Sequence, residues 1–323
     1  MADEGFAAPW VEFEKELGFR PLLHGPLENC FKDWGNLGGA LVSKYTFPAP
    51  DAAVKSEDKQ LPNNGPKIRI YTPEGYMAGS RPVCVFIHSG GWAMGDLDAD
   101  DPNCRVIAKG AKVVVVSVDY RLAPQHKYPA GFDDSFAALE WAIKSATDIG
   151  GVNGKAFLAG ASAGGGSALG LALKMIDLGR KDEIVGVVAQ IPVTCDPSVV
   201  PEGLKARYTS YDECKEMTVN TASAMEAFRD AYGAPPKEKY VSVLLHDQIG
   251  QLPKTYITCA GRDTLRDDAR LLKEVLDKNG VPNKYDEYPG YPHYFWSFPA
   301  DALRKPREEY LRNLVNGVEF VLS

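Results

Sequence analysis

The stretch KAFLAGASAGGGSALG, residues 155–170, carries the strongest fold signal in the chain. An apolar run typical of a buried strand comes first, and a glycine-rich helix start follows it. Between them, GASAG at 160–164 fits G-x-S-x-G, which is typical of a tight strand-to-helix turn that exposes a serine nucleophile, here Ser162. Glycines two residues before and after the serine remove side chains that would collide in such a turn. The same pattern is also met by a glycine-rich helix start that serves only close packing.

A glycine-rich loop after a strand can also bind phosphate, so two nucleotide-binding patterns are alternatives. A Walker loop has the form G-x-x-x-x-G-K-[ST], but the first lysine after these glycines is Lys174. A dinucleotide-binding G-x-G-x-x-G begins well at Gly164 and Gly166, but Leu169 stands at the third glycine position. Both patterns fail, and the serine-bearing turn is the interpretation that remains.

The composition is that of an ordinary globular protein, with 323 residues, 45% hydrophobic and 24% charged. The formal net charge is −7 and the basic residues are scattered, which argues against nucleic acid as a partner. No apolar stretch approaches the length of about 18 residues that a membrane span needs, and the acidic start lacks the pattern of a secretory signal. The six cysteines are dispersed and form no metal-binding spacing. We therefore expect a cytoplasmic protein with reduced thiols and with neither metal nor cofactor.

Short apolar runs alternate with helical patterns along most of the chain. The predicted strands are 67–71, 83–88, 113–120, 155–160, 184–193, 255–261 and 284–288. Helical patterns lie at 101–110, 132–146, 164–179 and 266–280. This alternation predicts an α/β fold with a mostly parallel twisted sheet covered by helices on both faces. Ligands of such sheets bind beyond the carboxyl ends of the strands.

Two segments depart from the alternation. Residues 1–50 are predicted as short helices and loops that form an N-terminal cap segment. Residues 197–250 interrupt the sheet pattern with polar and aromatic residues and include one helical pattern, TASAMEAFRDAYG. An insertion of this length is typically a lid or a binding element, and the alternative is a small packing subdomain. We therefore predict a catalytic core at 51–196 and 251–323, with a cap insertion at 197–250.

A serine hydroxyl becomes a good nucleophile when a base takes its proton and a carboxylate orients that base. On a sheet with a G-x-S-x-G turn, the chain order is serine, acid, histidine. Of five histidines, only His246 and His293 follow Ser162. His246 precedes the strand predicted at 255–261, whereas His293 lies in PGYPHYFW, after the last predicted strand. We predict His293 as the general base, and the alternative is a structural or solvated loop histidine.

The carboxylate is expected on the loop after strand 255–261, where AGRDTLRDDARLL supplies three aspartates. Asp263 follows the strand by two residues, where a loop side chain points to the active edge of the sheet, and we predict it as the partner of His293. Asp267 and Asp268 fall in the first turn of the next helix, where the helix dipole favours negative charge. The alternative for Asp263 is a capping role at that helix.

Acyl transfer also needs donors for a developing oxyanion. The loop FIHSGGWAMGD, residues 86–96, follows an early strand and offers backbone amides at Gly90 and Gly91. The amide of Ala163, directly after the serine, is the third candidate. We expect His88 to fix this loop by hydrogen bonding rather than to act as a base.

Several motifs in the same order resemble the hormone-sensitive-lipase family of α/β-hydrolases, also called family IV. They are HSGGW in place of H-G-G-G, VDYRLAP with YPAGFDDSFAALEW, GASAGG, GRDTLRDD and GYPHYF, and they lie within residues 65–320. The sequence as a whole resembles the fungal carboxylesterases of this family. The resemblance implies the α/β-hydrolase fold with a helical cap and a site formed by Ser162, His293 and Asp263, with an oxyanion hole at Gly90, Gly91 and Ala163.

Two positions depart from the family pattern. Ser89 replaces the first glycine of H-G-G-G, which narrows the backbone freedom of that loop and is expected to reshape the acyl pocket without abolishing activity. Ala161 replaces the acid or threonine that is common before the nucleophile, so this position does not indicate a subfamily.

These features predict a serine carboxylic ester hydrolase that forms an acyl-enzyme from short- to medium-chain esters, a secondary-metabolite ester being one candidate. The expected partner is a small-molecule ester, and the sequence leaves open whether the protein is a homodimer. Trp92, Phe295 and Trp296 flank catalytic motifs and are candidates for the substrate pocket, unless they belong to the core. The alternatives are a non-catalytic small-ligand receptor on the same fold, and an amidase or acyltransferase with the same triad.

Overall fold

The computed structural model describes residues 5–217 and 219–323 and has an eight-stranded sheet at its centre. The strands are β1 Val54–Gln60, β2 Lys67–Pro73, β3 Val83–Ile87, β4 Val115–Asp119, β5 Ala156–Ala161, β6 Ile184–Gln190, β7 Lys254–Ala260 and β8 Asn283–Tyr288. Their order across the sheet is β1-β2-β4-β3-β5-β6-β7-β8. Strands β3 to β8 run parallel, whereas β2 pairs antiparallel with both β1 and β4. The predicted α/β architecture is thereby confirmed.

The helices of the described residues are α1 Ala8–Leu17, α2 Leu27–Lys44, α3 Asp101–Ala111, α4 Ala130–Lys144, α5 Ala163–Asp177, α6 Glu202–Lys205, α7 Ser210–Glu213, α8 Ala222–Tyr232, α9 Arg266–Lys278 and α10 Arg304–Leu322. Four of them, α3, α4, α5 and α9, agree within two residues with the helical patterns of the sequence. None of the described helices combines the length and the apolar character that crossing a lipid bilayer requires.

Strand β1 was not expected from the sequence, which placed the first strand at residue 67. Its sequence VKSEDKQ is polar, and only Val54 is buried. The strand forms because its backbone pairs with β2. It lies at the edge of the sheet, where its polar side chains are exposed to solvent. A hydrophobic pattern is therefore absent at this edge.

The core lies on both faces of the sheet, because successive side chains of a strand point to opposite faces. On β3, Phe86 belongs to the core cluster that includes residues of α3 and α10, whereas Val85 and Ile87 belong to the cluster that includes residues of α4, α5 and α9. Strands β3 and β5 are buried along their whole length, as expected for a sheet covered on both sides.

The N-terminal helices and the insertion at 197–250 lie against each other. Leu23 forms a parallel bridge with Asn220, and the Thr221 hydroxyl donates to the Leu23 carbonyl at 2.6 Å. Helix α2 also packs against α8. Trp10 of α1 contacts Phe298, which follows β8, at a ring separation of 5.4 Å. Contacts between residues far apart in sequence therefore join the two segments to each other, and the N-terminal segment to the loop after β8.

Candidate active site

Ser162 lies in a strained turn between β5 and α5. Its φ is 56° and its ψ is −120°, a backbone conformation that costs a residue with a side chain on the order of 1–3 kcal/mol. Neighbouring strands hold this conformation: the Ser162 amide donates to the Gln190 carbonyl at 2.8 Å, and the Ser162 carbonyl accepts from Val193 at 3.2 Å. The strain is therefore maintained by the sheet rather than by local preference.

The two glycines of the G-x-S-x-G pattern are required by space. A Cβ on Gly160 would lie 2.3 Å from the Gly164 carbonyl oxygen. A Cβ on Gly164 would lie 2.1 Å from the carbonyl oxygen of Ile87 in β3. Both obstacles are backbone atoms in the centre of the fold, which cannot rotate away.

Ser162, His293 and Asp263 form a continuous hydrogen-bonded line. His293 Nε2 lies 3.1 Å from the Ser162 hydroxyl oxygen, and His293 Nδ1 lies 2.6 Å from an oxygen of Asp263. Asp263 follows β7 and His293 follows β8, so parallel strands bring both side chains to one edge of the sheet. A carboxylate only accepts, so Nδ1 carries the proton and the bare Nε2 faces the hydroxyl.

The second oxygen of Asp263 has a separate partner. It accepts from the backbone N–H of Leu265 at 2.9 Å, and Asp263 is completely buried. One carboxylate thus stabilises the turn before α9 and orients His293 at the same time. The capping alternative and the orienting role are therefore compatible.

Asp267 and Asp268 lie in the first turn of α9, as predicted, and they have a further role that the sequence did not reveal. Asp267 accepts from the backbone N–H of Thr209 at 2.7 Å. Asp268 accepts from the backbone N–H of Thr194 at 2.7 Å and from the Tyr208 hydroxyl at 2.7 Å. Both carboxylates therefore join the insertion to the core.

The loop after β3 presents two amide donors beside Ser162. Gly90 and Gly91 have φ values of 112° and 60°, and their N–H groups donate to no protein acceptor within residues 5–217 and 219–323. Both residues line the cavity that contains Ser162 and His293. Ala163 is the first residue of α5, so its N–H has no acceptor within the helix.

The buried side chain of His88 fixes this loop by a hydrogen bond, as expected. Its Nδ1 lies 2.7 Å from the Ser89 carbonyl oxygen, and its ring stacks on Tyr120 at 4.1 Å. Burial lowers the pKa of His88, so the imidazole is neutral and donates from Nδ1 to the carbonyl. His246 is remote from this loop: it is buried beside Asp177, at 3.2 Å.

A cavity of about 1250 Å³ opens above Ser162. Its walls are mainly apolar, and both segments outside the sheet contribute to them. The N-terminal segment supplies Leu23, Trp34, Leu41 and Phe47, and the insertion supplies Val219, Met225 and Phe228. Sequence reasoning missed these residues, because a helical pattern alone does not show which side chains will face a cavity.

Of the three aromatic residues predicted for the pocket, only Trp296 lines it. The prediction was wrong for Trp92, which is buried and stacks on Tyr232 at 4.5 Å. It was also wrong for Phe295, which is completely buried against Tyr291 and neighbouring rings. Trp92 itself and Tyr294, which precedes Phe295, both have a left-handed backbone conformation.

Residues 84–297 match the family of proteins with the alpha/beta hydrolase fold. The chain belongs to this family, in its hormone-sensitive-lipase group. It is similar to the versiconal hemiacetal acetate esterase of Aspergillus parasiticus, with 44% identity over 98% of both chains. The versiconal hemiacetal acetate esterase of Emericella nidulans is 42% identical over 89% of this chain and 98% of that relative.

Solved structures agree with this assignment. The crystal structure of vibralactone cyclase superposes with a TM-score of 0.84 at 26% identity and covers 100% of this chain and 97% of its own. The hyperthermophilic esterase from the archaeon Pyrobaculum calidifontis superposes with a TM-score of 0.74 at 28% identity, over 85% of this chain and 88% of its own. The family resemblance and the similarity to fungal proteins are confirmed.

Proposed function

We propose that this protein is a serine carboxylic ester hydrolase with Ser162 as nucleophile, His293 as general base and Asp263 as its orienting partner. The observation that carries the proposal is the line from carboxylate to imidazole to hydroxyl, with separations of 2.6 and 3.1 Å, beside two unengaged amides. Relatives that share 44% and 42% of their residues with this chain are named as acetate esterases, which supports ester hydrolysis.

In the proposed reaction, the Ser162 oxygen attacks the ester carbonyl carbon while His293 Nε2 takes the hydroxyl proton. The carbonyl oxygen becomes an oxyanion and accepts from the amides of Gly90, Gly91 and Ala163. The imidazolium is stabilised by Asp263 and gives its proton to the leaving alcohol. Water, deprotonated by His293, then attacks the acyl-enzyme, and the bond from the acyl carbon to the Ser162 oxygen breaks. The Ser162 oxygen takes the proton back from His293, and the acid is released.

We further propose that residues 1–50 and 197–250 together form the cap of the enzyme. Support comes from their mutual contacts and from their shared contribution to the cavity walls. A volume of about 1250 Å³ is larger than a short ester requires, so we assign the site to short- to medium-chain esters of a bulky alcohol, such as a secondary-metabolite ester.

A cytoplasmic location is part of the same proposal. All six cysteines are free and buried, and such thiols are typical of a reducing compartment. The formal charge of −7 supports a small ester, rather than a nucleic acid, as the partner.

The test compares wild type with Ser162→Ala on p-nitrophenyl acetate through hexanoate. We expect kcat/KM to fall at least about 10⁴-fold, because the remaining groups cannot form an acyl-enzyme. Ser135→Ala is the matched control: Ser135 is equally buried and donates to a helix carbonyl, but lies on α4 away from the cavity. A Ser162→Ala variant that keeps a tenth of wild-type activity would contradict the proposal.

Fluorophosphonate labelling separates the enzyme from a receptor on the same fold. We expect covalent labelling of wild type and none of Ser162→Ala, because only an activated serine reacts. A folded wild-type protein that stays unlabelled would favour the receptor. Turnover of anilide substrates distinguishes amide hydrolysis from ester hydrolysis. Product analysis with competing alcohols distinguishes acyl transfer from hydrolysis.

A further inference from the structure

A buried carboxylate connects the two loops that flank Ser162. One oxygen of Asp100 accepts from the Ser89 backbone N–H at 2.9 Å. The other oxygen accepts from the Asn103 side-chain amide at 2.8 Å and from the Tyr294 hydroxyl. The Ser89 hydroxyl in turn lies 3.2 Å from the Tyr294 hydroxyl oxygen. Asp100 is only 2% exposed, so these protein groups replace its solvation.

The position of these residues in the chain gives the contacts their significance. Ser89 directly precedes Gly90, which lines the cavity, and Tyr294 directly follows His293. Ser89 and Tyr294, which are in contact, are separated by 205 positions in the sequence. The group of Ser89, Asp100 and Tyr294, here called the loop clamp, is therefore a tertiary link between the amide donors and the imidazole.

Tyr294 adopts a conformation that a bulky residue rarely takes. Its φ is 62° and its ψ is 21°, in the left-handed region where the Cβ crowds the backbone. Its hydroxyl is bound by Asp100, and its ring lies 4.9 Å from that of Trp296. The side-chain contacts hold a backbone geometry that local preference opposes, and this geometry sets the direction of the adjacent His293.

We propose that Ser89, Asp100 and Tyr294 are positioning residues that hold the amides of Gly90 and Gly91 at the correct distance from the imidazole of His293. The inference rests on the proposed function of Ser162 and adds a role for these three residues. Their contribution is made in the transition state, when the oxyanion and the imidazolium must both be in place. Loss of the clamp therefore lowers kcat and leaves ground-state binding almost unchanged.

Tyr294→Phe removes one hydroxyl and keeps the ring, which makes it the principal variant. We expect kcat on p-nitrophenyl acetate to fall about 10- to 100-fold with KM within twofold, because a displacement approaching 1 Å at the reacting groups costs about 10²-fold. Tyr291→Phe is the matched control, since Tyr291 lies on the same loop and does not line the cavity. We expect its kcat to equal that of wild type.

A transition-state analogue distinguishes positioning from general stability. The inhibition constant of phenylboronic acid, which forms a tetrahedral adduct with a serine, should rise in proportion to the loss of kcat/KM in Tyr294→Phe. A structural role alone would lower the unfolding temperature and leave this inhibition constant at its wild-type value. Ser89→Ala combined with Tyr294→Phe should be no slower than Tyr294→Phe alone, because the two hydroxyls act through one contact.

Asp100→Asn serves as a second variant if Tyr294→Phe does not fold. It preserves the size of the side chain and changes the carboxylate that accepts from the Tyr294 hydroxyl to an amide. We expect the same fall in kcat. The inference is overturned if folded Tyr294→Phe or Asp100→Asn retains kcat within twofold of wild type, or if Tyr291→Phe falls equally. Such a result leaves the role of Ser162 intact, because that role is measured separately by Ser162→Ala and fluorophosphonate labelling.

Discussion

Gly164→Ala provides a sharp test of the turn that presents Ser162. The added Cβ would lie 2.1 Å from the Ile87 carbonyl oxygen and 2.6 Å from the His88 carbonyl oxygen. The shortest contact that a real Cβ makes is near 3.0 Å, so the start of α5 must move about 1 Å from β3. A displacement of that size at a nucleophile costs about 10²-fold in rate. We therefore expect kcat on p-nitrophenyl acetate to fall about 100-fold.

Gly164→Ala should lower the stability of the protein, although helix propensity alone would favour the alanine. Gly164 lies within α5, where alanine is otherwise favoured over glycine by about 1 kcal/mol, but forced overlap in a packed core costs about 1–3 kcal/mol. Gly35→Ala in α2 is the control, because a Cβ there meets nothing within 4 Å. Scanning calorimetry should show a lower unfolding temperature for Gly164→Ala and a slightly higher one for Gly35→Ala. A Gly164→Ala protein with wild-type kcat and raised stability would refute the steric argument.

Two further predictions concern buried carboxylates. In Asp263→Asn the side-chain amide oxygen still accepts from the Leu265 N–H, but the amide N–H now faces His293. The imidazole must then hold its proton on Nε2, so kcat should fall about 10⁴-fold while the unfolding temperature stays unchanged. Retained activity near pH 7 would contradict this assignment of the His293 tautomer. Burial raises the pKa of Asp268 to about 7, above its unfolded value. This carboxyl therefore stabilises the fold fully at acid pH, and its contribution is lost as the pH rises through 7. Asp268→Asn should show a smaller fall in unfolding temperature between pH 5 and 8 than wild type, and an equal fall would count against the shifted pKa.

The sequence was sufficient to predict the three residues that form the hydrogen-bonded line. Ser162 follows from a local pattern, and Asp263 and His293 follow from the order in which parallel strands deliver loops to one edge of a sheet. The glycines at 160 and 164 were expected for steric reasons, and the structure supplies the backbone atoms that exclude a side chain.

Other features depended on contacts that leave no local signal. Strand β1 is polar and is defined by its pairing with β2. Trp92 and Phe295 are neighbours of site residues in the sequence, yet both side chains are buried in the core. Asp268 was predicted as a helix-start residue, and its hydrogen bonds to Thr194 of the core and to Tyr208 of the insertion became visible only with the fold assembled.

The sequence by itself determined the alternation of strands and helices from residue 67 onward, the strained serine turn and the two side chains that form a hydrogen-bonded line with Ser162. These properties depend on short-range sterics and on the regular geometry of a parallel sheet, and local sequence patterns indicate both. Only the tertiary structure decided which side chains line the cavity and that Asp100 joins Ser89 to Tyr294, which follows Asp100 by 194 residues. Such contacts depend on the direction of individual side chains across close-packed elements, and those directions exist only once the whole chain has folded.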